Sequence, residues 1–283
     1  MSASFGPAGN AADFPYKSSE RAPAWIAAQG LDCYEYQCGK GVHIGEESAR
    51  RIGAAAELAG IVLSLHAPYF INLANPDPDS LQKTVGYITA ACRAADWMGA
   101  RRVVIHSGAL MGRTRRQAME IALPALSAVL AACDDTGFGH IALCPETMGK
   151  INQLGDLDEV LELCGLDERL IPCVDFGHLY ARSLGREDGE EAMARILDKM
   201  AAALGQERAS RFHSHFSHIE FTPKGGEKCH RTFEDDGGYG PDWTPLARQV
   251  AARGWSPTFI CESAGTQARD AAEMKRIYQG FLP

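Results

Sequence analysis

The chain has 283 residues, 46% of them hydrophobic, with 36 acidic against 28 basic side chains and a formal net charge of −8. This is apolar content enough for a sizeable core, and the acidic balance excludes a protein drawn to nucleic acid or membrane by its overall charge; only a local basic rim stays open. No apolar run approaches the roughly 20 residues of a membrane span. Residues 1–10 carry neither a basic nor an apolar signal region. Nine cysteines without a CxxC pair point to a reduced, cytoplasmic setting.

Short apolar runs alternate with helical-period stretches from end to end. Strands are expected at 4–7, 33–37, 62–67, 102–107, 140–146, 171–175, 211–220 and 258–262. Helices are expected at 19–29, 46–60, 80–99, 115–135, 157–164, 187–204, 244–253 and 268–280. Gly60, Gly99 and Gly137 sit where C-terminal caps belong. Ser18 or Ser19, and Asp158, sit where N-caps belong. Eight βα units predict one (β/α)8 TIM barrel over residues 1–283, with its working face at the C-terminal ends of the strands. The loops expected to build that face are 68–79, 148–156 and 223–242.

Those strand ends are not random. His66 closes Ile61-Val62-Leu63-Ser64-Leu65, His106 closes Val103-Val104-Ile105, and Glu146 follows Leu143-Cys144-Pro145. Asp175 and His178 follow Cys173-Val174, His215 lies in Phe212-His213-Ser214-His215-Phe216, and Glu262 follows Phe259-Ile260-Cys261; His230 lies farther on, in the loop 223–242. Imidazole and carboxylate suit zinc, and their mixture also suits manganese or iron. One catalytic ion takes about three protein ligands. Eight candidates exceed that, which points to two or three ions sharing bridging carboxylates. A lone strand-end histidine is more often a hydrogen-bonded loop residue, and a lone carboxylate as often an N-cap. Six strands ending alike make coincidence the weaker account.

Other residues take the plainer reading. His43 and His140 are expected at the surface or at a strand start. His213 shares the face of His215 but lies deeper, as buried structure. His218 is three residues from His215 and faces away if the strand is regular. Cys229 beside His230 is expected to be chance. Lys40, Arg113, Arg115, Arg116, Arg182, Lys224 and Lys228 fall in or near the expected loops, where they could meet phosphates or merely solvent.

Several segments together resemble the endonuclease IV family of the xylose-isomerase-like barrels. They are Leu65-His66-Ala67-Pro68-Tyr69-Phe70-Ile71-Asn72-Leu73, Val104-Ile105-His106-Ser107-Gly108, and Pro145-Glu146-Thr147 through Asn152-Gln153-Leu154-Gly155. Asp175-Phe176-Gly177-His178, His215-Phe216-Ser217 with His230, and Ile260-Cys261-Glu262 complete the set. Residues 5–10 and 219–228 are more similar to an uncharacterised endonuclease-IV-like branch.

The resemblance implies a first zinc on His66, His106 and Glu146, and a second on Glu146, Asp175, His215 and Glu262. It implies a third on His178 and His230. The family's aspartate two residues before that last histidine is Lys228 here, with Glu227 adjacent as a substitute. The implied activity is hydrolysis of DNA 5′ to abasic sites, with Glu146 and Glu262 orienting the nucleophile. Tyr69 and Phe70 would be the wedge in the duplex. The main alternative is a mononuclear sugar isomerase or epimerase using Glu146, Asp175, His215 and Glu262. Another is a metal-stabilised binding protein without turnover.

Overall fold

A computed structural model describes residues 2–283; Met1, part of the expected domain span, lies outside it. Eight parallel strands form the barrel: β1 (Ser4–Pro7), β2 (Cys33–Gln37), β3 (Val62–His66), β4 (Arg102–His106), β5 (Ala142–Glu146), β6 (Cys173–Asp175), β7 (His213–Phe216) and β10 (Thr258–Cys261). Their order around the sheet is β1-β10-β7-β6-β5-β4-β3-β2. The seam between β1 and β2 closes through a parallel bridge between Ala8 and Glu35. Asp32 N–H donates to the Phe5 carbonyl at 2.8 Å, and Gly9 N–H to that of Glu35 at 2.9 Å. The strands touch closely there, because a Cβ on Gly6 would lie 1.7 Å from the Cys33 carbonyl oxygen.

The outer layer is helical: α1 (Ala22–Ala28), α2 (Glu46–Ala59), α3 (Pro78–Met98), α4 (Arg115–Asp135), α5 (Leu157–Cys164), α6 (Phe176–Arg182), α7 (Gly189–Leu204), α8 (Gln206–Ala209), α9 (Trp243–Arg253) and α10 (Gln267–Gln279). Gly60 and Gly99 adopt the left-handed cap conformation, with φ of +69° and +72°. Helix α4 matches a membrane span in length and composition, with a window hydropathy of 1.2. Its buried face, including Ala118, Ala122, Leu126 and Val129, packs into the core. No disulfide joins the cysteines among the described residues, and all except Cys229 are buried.

Three expectations need correction. The strand expected at 211–220 breaks at Ser217, where the chain leaves the barrel. Beyond it, β8 (His218–Thr222), begun within that expected strand, pairs antiparallel with β9 (Gly226–Arg231), which lies in the loop expected at 223–242. Gly226, at φ +73°, supplies the tight turn. Helix α5 is capped by Asp156, whose side chain accepts from Glu159 N–H, and not by Asp158. The short helix α6 was not expected from periodicity; Asp175 caps it by accepting from His178 N–H at 2.7 Å.

Candidate metal centre

The strand ends deliver their polar residues into one mouth, a cavity of about 530 Å³ lined by His66, His106, Glu146, His178, His230 and Glu262, among others. A larger cleft of about 700 Å³ opens near the N-terminal ends of β3 and β4. It lacks a convergent ligand set, so the mouth is the chemical site.

Glu146 is the hub. Its Oε2 lies 3.2 Å from both His66 Nε2 and His106 Nε2. Its Oε1 lies 3.2 Å from His215 Nδ1 and 3.4 Å from His178 Nδ1. One carboxylate thus turns one oxygen to His66 and His106 and the other to His215, as a bridging ligand does. Two ligands on one tetrahedral ion with bonds of 2.0–2.1 Å are roughly 3.3 Å apart, so the 3.2 Å spacings to His66, His106 and His215 fit coordination. Glu146, Asp175, His215 and Glu262 present ligand atoms within 4.8 Å of one another.

The imidazoles are oriented from behind. His66 donates Nδ1–H to the Ala67 carbonyl at 2.8 Å, leaving Nε2 towards Glu146. His178 donates Nδ1–H to the Thr147 carbonyl at 2.8 Å, leaving Nε2 3.5 Å from Glu227. His230 Nδ1 bonds the Ser217 hydroxyl at 2.8 Å. His215 donates Nε2–H to Glu35 at 2.9 Å, leaving Nδ1 for the mouth. Fixing one ring nitrogen so that the other can ligate is the outer support that metal-binding histidines use.

Asp175 supplies a direct test of fit. Its Oδ1 is spent on the cap of α6, while its fully buried Oδ2 has no hydrogen-bond partner among the described residues. Burial leaves its carboxyl raised above the usual value. His178 Nδ1 lies 3.4 Å from Oδ2 but makes no hydrogen bond to it; a buried carboxylate oxygen without one is costly, and a divalent ion beside it would reduce that cost.

A third candidate group includes Glu227. His178, Glu227 and His230 bring ligand atoms within 4.8 Å of one another. In a regular strand Glu227 and His230 would face opposite sides, being three residues apart. The pairing shifts from Glu220↔Cys229 to Phe221↔Glu227, so Lys228 is the extra residue of a β-bulge. The bulge turns Glu227 to the side of His230. Lys228, Cys229 and Arg231 all clasp Glu220 instead.

Electrostatics follow from this crowding. Burial would raise Glu146, but His215, His106 and His178 outweigh it and hold its carboxyl well below the usual range. Burial would lower His178 and His215. Asp175 and Glu146 outweigh it for His178, and Cys173 and Glu262 for His215, so both stand well above the ordinary imidazole value. Without cations, protons on these rings balance the carboxylates.

Tyr69 and Phe70 are 54% and 56% exposed. The Tyr69 ring stacks on His106, with centroids 5.3 Å apart, and Phe70 lies 5.8 Å from Tyr87. The basic residues fare differently. Arg115 pairs with Glu159 and Asp156, Arg116 with Glu120, and Lys228 with Glu220. Arg182 donates to the carbonyls of Met148, Lys150 and Gln153, bracing the loop that follows β5. These four have internal partners, so they are not a free phosphate-binding rim.

His43 bonds the Lys40 carbonyl and His140 bonds Asp96, both exposed. His218 turns away and stacks on Phe233 at 4.7 Å. The residue the sequence reading missed is Glu35, fully buried in the middle of β2. Its signal was an acid at the centre of an otherwise barrel-like strand, outside a search confined to strand ends. Cys173, His213 and His215 also cluster within 4.8 Å, but Glu35 already holds Nε2 of both histidines.

The family profile of xylose isomerase-like TIM barrels matches residues 23–278. An uncharacterised protein of Methanocaldococcus jannaschii is 30% identical over 233 residues, 82% of each chain. A probable endonuclease 4 of Mycoplasma pneumoniae is 30% identical over 141 residues, 48% of each chain. One from Acholeplasma laidlawii is 31% identical over 121 residues, 41% of this chain and 40% of that one. Among solved structures, a D-tagatose 3-epimerase-like protein superposes with a TM-score of 0.71 at 18% identity, covering 94% of this chain and 93% of its own. Endonuclease IV from Thermus thermophilus gives 0.66 at 18% identity, covering 93% of each. With the profile spanning nearly the whole barrel, this chain belongs to the xylose isomerase-like TIM-barrel family.

Proposed function

We propose that this chain is a metal-dependent phosphodiesterase of the endonuclease IV type, which hydrolyses DNA 5′ to abasic sites with two or three divalent ions. Zinc suits the donor set best; manganese or iron are the alternatives. The carrying observation is the split of Glu146, one oxygen to His66 and His106 and the other to His215. A mononuclear isomerase uses Glu146, Asp175, His215 and Glu262. It leaves His66, His106, His178, His230 and Glu227 without work. The partial matches to probable endonucleases 4 support the same reading.

His66, His106 and Glu146 would hold the first ion, and Glu146, Asp175, His215 and Glu262 the second. His178, Glu227 and His230 would hold the third. Bound ions would supply a water of pKa lowered towards about 7 and positive charge against the reacting phosphate. Glu146 and Glu262 are the catalytic carboxylates of the chain, set to orient that water. The exposed rings of Tyr69 and Phe70 are placed to fill the stack where an abasic nucleotide is drawn out.

The test is a duplex carrying one abasic analogue, incubated with the metal-loaded protein. The expected product is a single cut 5′ to the lesion, with undamaged duplex left intact. Epimerisation of a ketose without any cutting would move the assignment to the sugar epimerases.

Two further results are expected. His178 and His215 stand well above the ordinary imidazole value, so they carry protons near neutrality and must shed them to ligate. Metal uptake therefore releases protons, and apparent affinity rises as pH increases from about 6 to 8. Calorimetry in buffers of different ionisation enthalpy measures this; zero proton release contradicts it. The second concerns Gly149, where a Cβ would lie 2.6 Å from Glu227 Cβ and 2.8 Å from His178 Cδ2. Gly149→Ala should cost the third ion about 1–3 kcal/mol of binding, roughly five- to 150-fold. The first two ions should be unaffected in the same titration.

A further inference from the structure

Below the mouth, Glu35, His213 and His215 are fully buried inside the barrel. Glu35 comes from β2 and the two histidines from β7. Glu35 Oε1 accepts from His215 Nε2 at 2.9 Å and from Gln37 Nε2 at 3.1 Å. Its Oε2 accepts from His213 Nε2 at 2.9 Å and from the Ser64 hydroxyl at 3.0 Å. Four donors fill the roughly four lone-pair positions of one carboxylate. Glu35 therefore has no acceptor capacity left to ligate an ion itself.

We infer that Glu35 is a positioning residue that fixes which nitrogen of His215 faces the metal centre. The inference rests on the metal-centre reading above. By accepting from Nε2–H, Glu35 leaves Nδ1 as the nitrogen that faces the mouth and ligates once its proton is shed, 3.2 Å from Glu146 Oε1 and 3.6 Å from Glu262 Oε2. Were the proton on Nδ1 instead, His215 would turn a donor towards the ions and could not ligate. His66 is held by the carbonyl of the next residue, His178 by that of Thr147 beside Glu146, and His230 by a hydroxyl. His215 is held by a carboxylate 180 residues away in sequence. A carboxylate behind an imidazole makes it a stronger donor to a metal than a carbonyl does.

His213 is the counterweight. It lies two residues before His215 on the same strand face and holds the other oxygen of Glu35. Its Nδ1 has no partner among the described residues. The Glu35 contact is thus what orients the ring, and the ring in turn keeps Glu35 from rotating away from His215. The two histidines and the carboxylate form one rigid unit spanning β2 and β7.

The experiment loads the full chain with cobalt(II), as wild type, Glu35→Gln and Ser64→Ala. It reads ion number, affinity against a chelator, and the visible cobalt spectrum. Wild type should take up two or three ions. Glu35→Gln keeps the volume but replaces one acceptor oxygen with a donor. It should loosen one ion about 10- to 100-fold and shift the visible band, leaving the others unchanged. Ser64→Ala removes a donor to the same carboxylate without touching His215, and should match wild type. If wild type takes up one ion or none, the metal-centre reading fails whatever Glu35 does. If wild type takes up several and Glu35→Gln matches it in affinity and spectrum, the role of Glu35 is overturned. Nitrogen-15 NMR of zinc-loaded wild type needs no variant to fold. A proton on His215 Nε2 supports the inference, and one on Nδ1 overturns it.

Discussion

Glu146→Gln is expected to lower abasic-site cleavage by at least about 10³-fold, roughly 4 kcal/mol at 1.36 per decade. The substitution keeps the shape of the side chain and removes its charge. It strikes two proposed ion positions together, because one Glu146 oxygen faces His66 and His106 and the other faces His215. Metal content should therefore fall by more than the one ion that a terminal ligand would cost. Glu227→Gln is the control, with loss confined to the ion shared with His178 and His230. Single-turnover rates and metal content, measured together, check this. A Glu146→Gln protein that kept all its ions and cut within tenfold of wild type would rule out a bridging role.

Gly6→Ala is expected to destabilise the barrel by about 3 kcal/mol or more, the upper end of overpacking costs. The added Cβ would meet the Cys33 carbonyl oxygen at 1.7 Å and its carbon at 2.5 Å. These are backbone atoms, so no side-chain rotation relieves the clash. Strand β1 must move off β2 at the seam that closes the barrel, where the Ala8–Glu35 bridge lies. Folded domains have only about 5–15 kcal/mol to lose. Urea unfolding should show a clearly lower midpoint. Because Glu35 lies two residues beyond Cys33, the same shift should loosen the ion on His215. An unchanged midpoint would show that the seam tolerates the extra atom.

What could be read in the sequence follows from where its signals are local. A barrel strand buried on both sides is an apolar run, so the residue that ends it stands out. That made His66, His106, Glu146, Asp175, His215 and Glu262 legible, and with them the barrel. Glu35 was hidden because its partners, His213 and His215, are 178 and 180 residues away. An acid in mid-strand carries no local mark of such pairing. Glu227 was visible only as a neighbour of the unexpected Lys228. Its facing depends on a bulge, and a bulge defeats the alternation by which strand faces are read. Strand β9 was read as loop because its segment is rich in Gly, Lys and Asp, yet its pairing with β8 outweighs that composition.

The charge reading was also limited by contacts the sequence does not show. Arg115 and Arg182 lie near the mouth, but Glu159 and three backbone carbonyls already hold them. Under the proposed function, any grip on a nucleic acid would therefore draw little on these two arginines.

The number of divalent ions per chain tests the central claim most directly. Protein purified without chelators and analysed for elemental content should carry two or three ions per chain, zinc foremost. A single ion per chain would contradict a shared Glu146 and leave a mononuclear site built on Glu146, Asp175, His215 and Glu262.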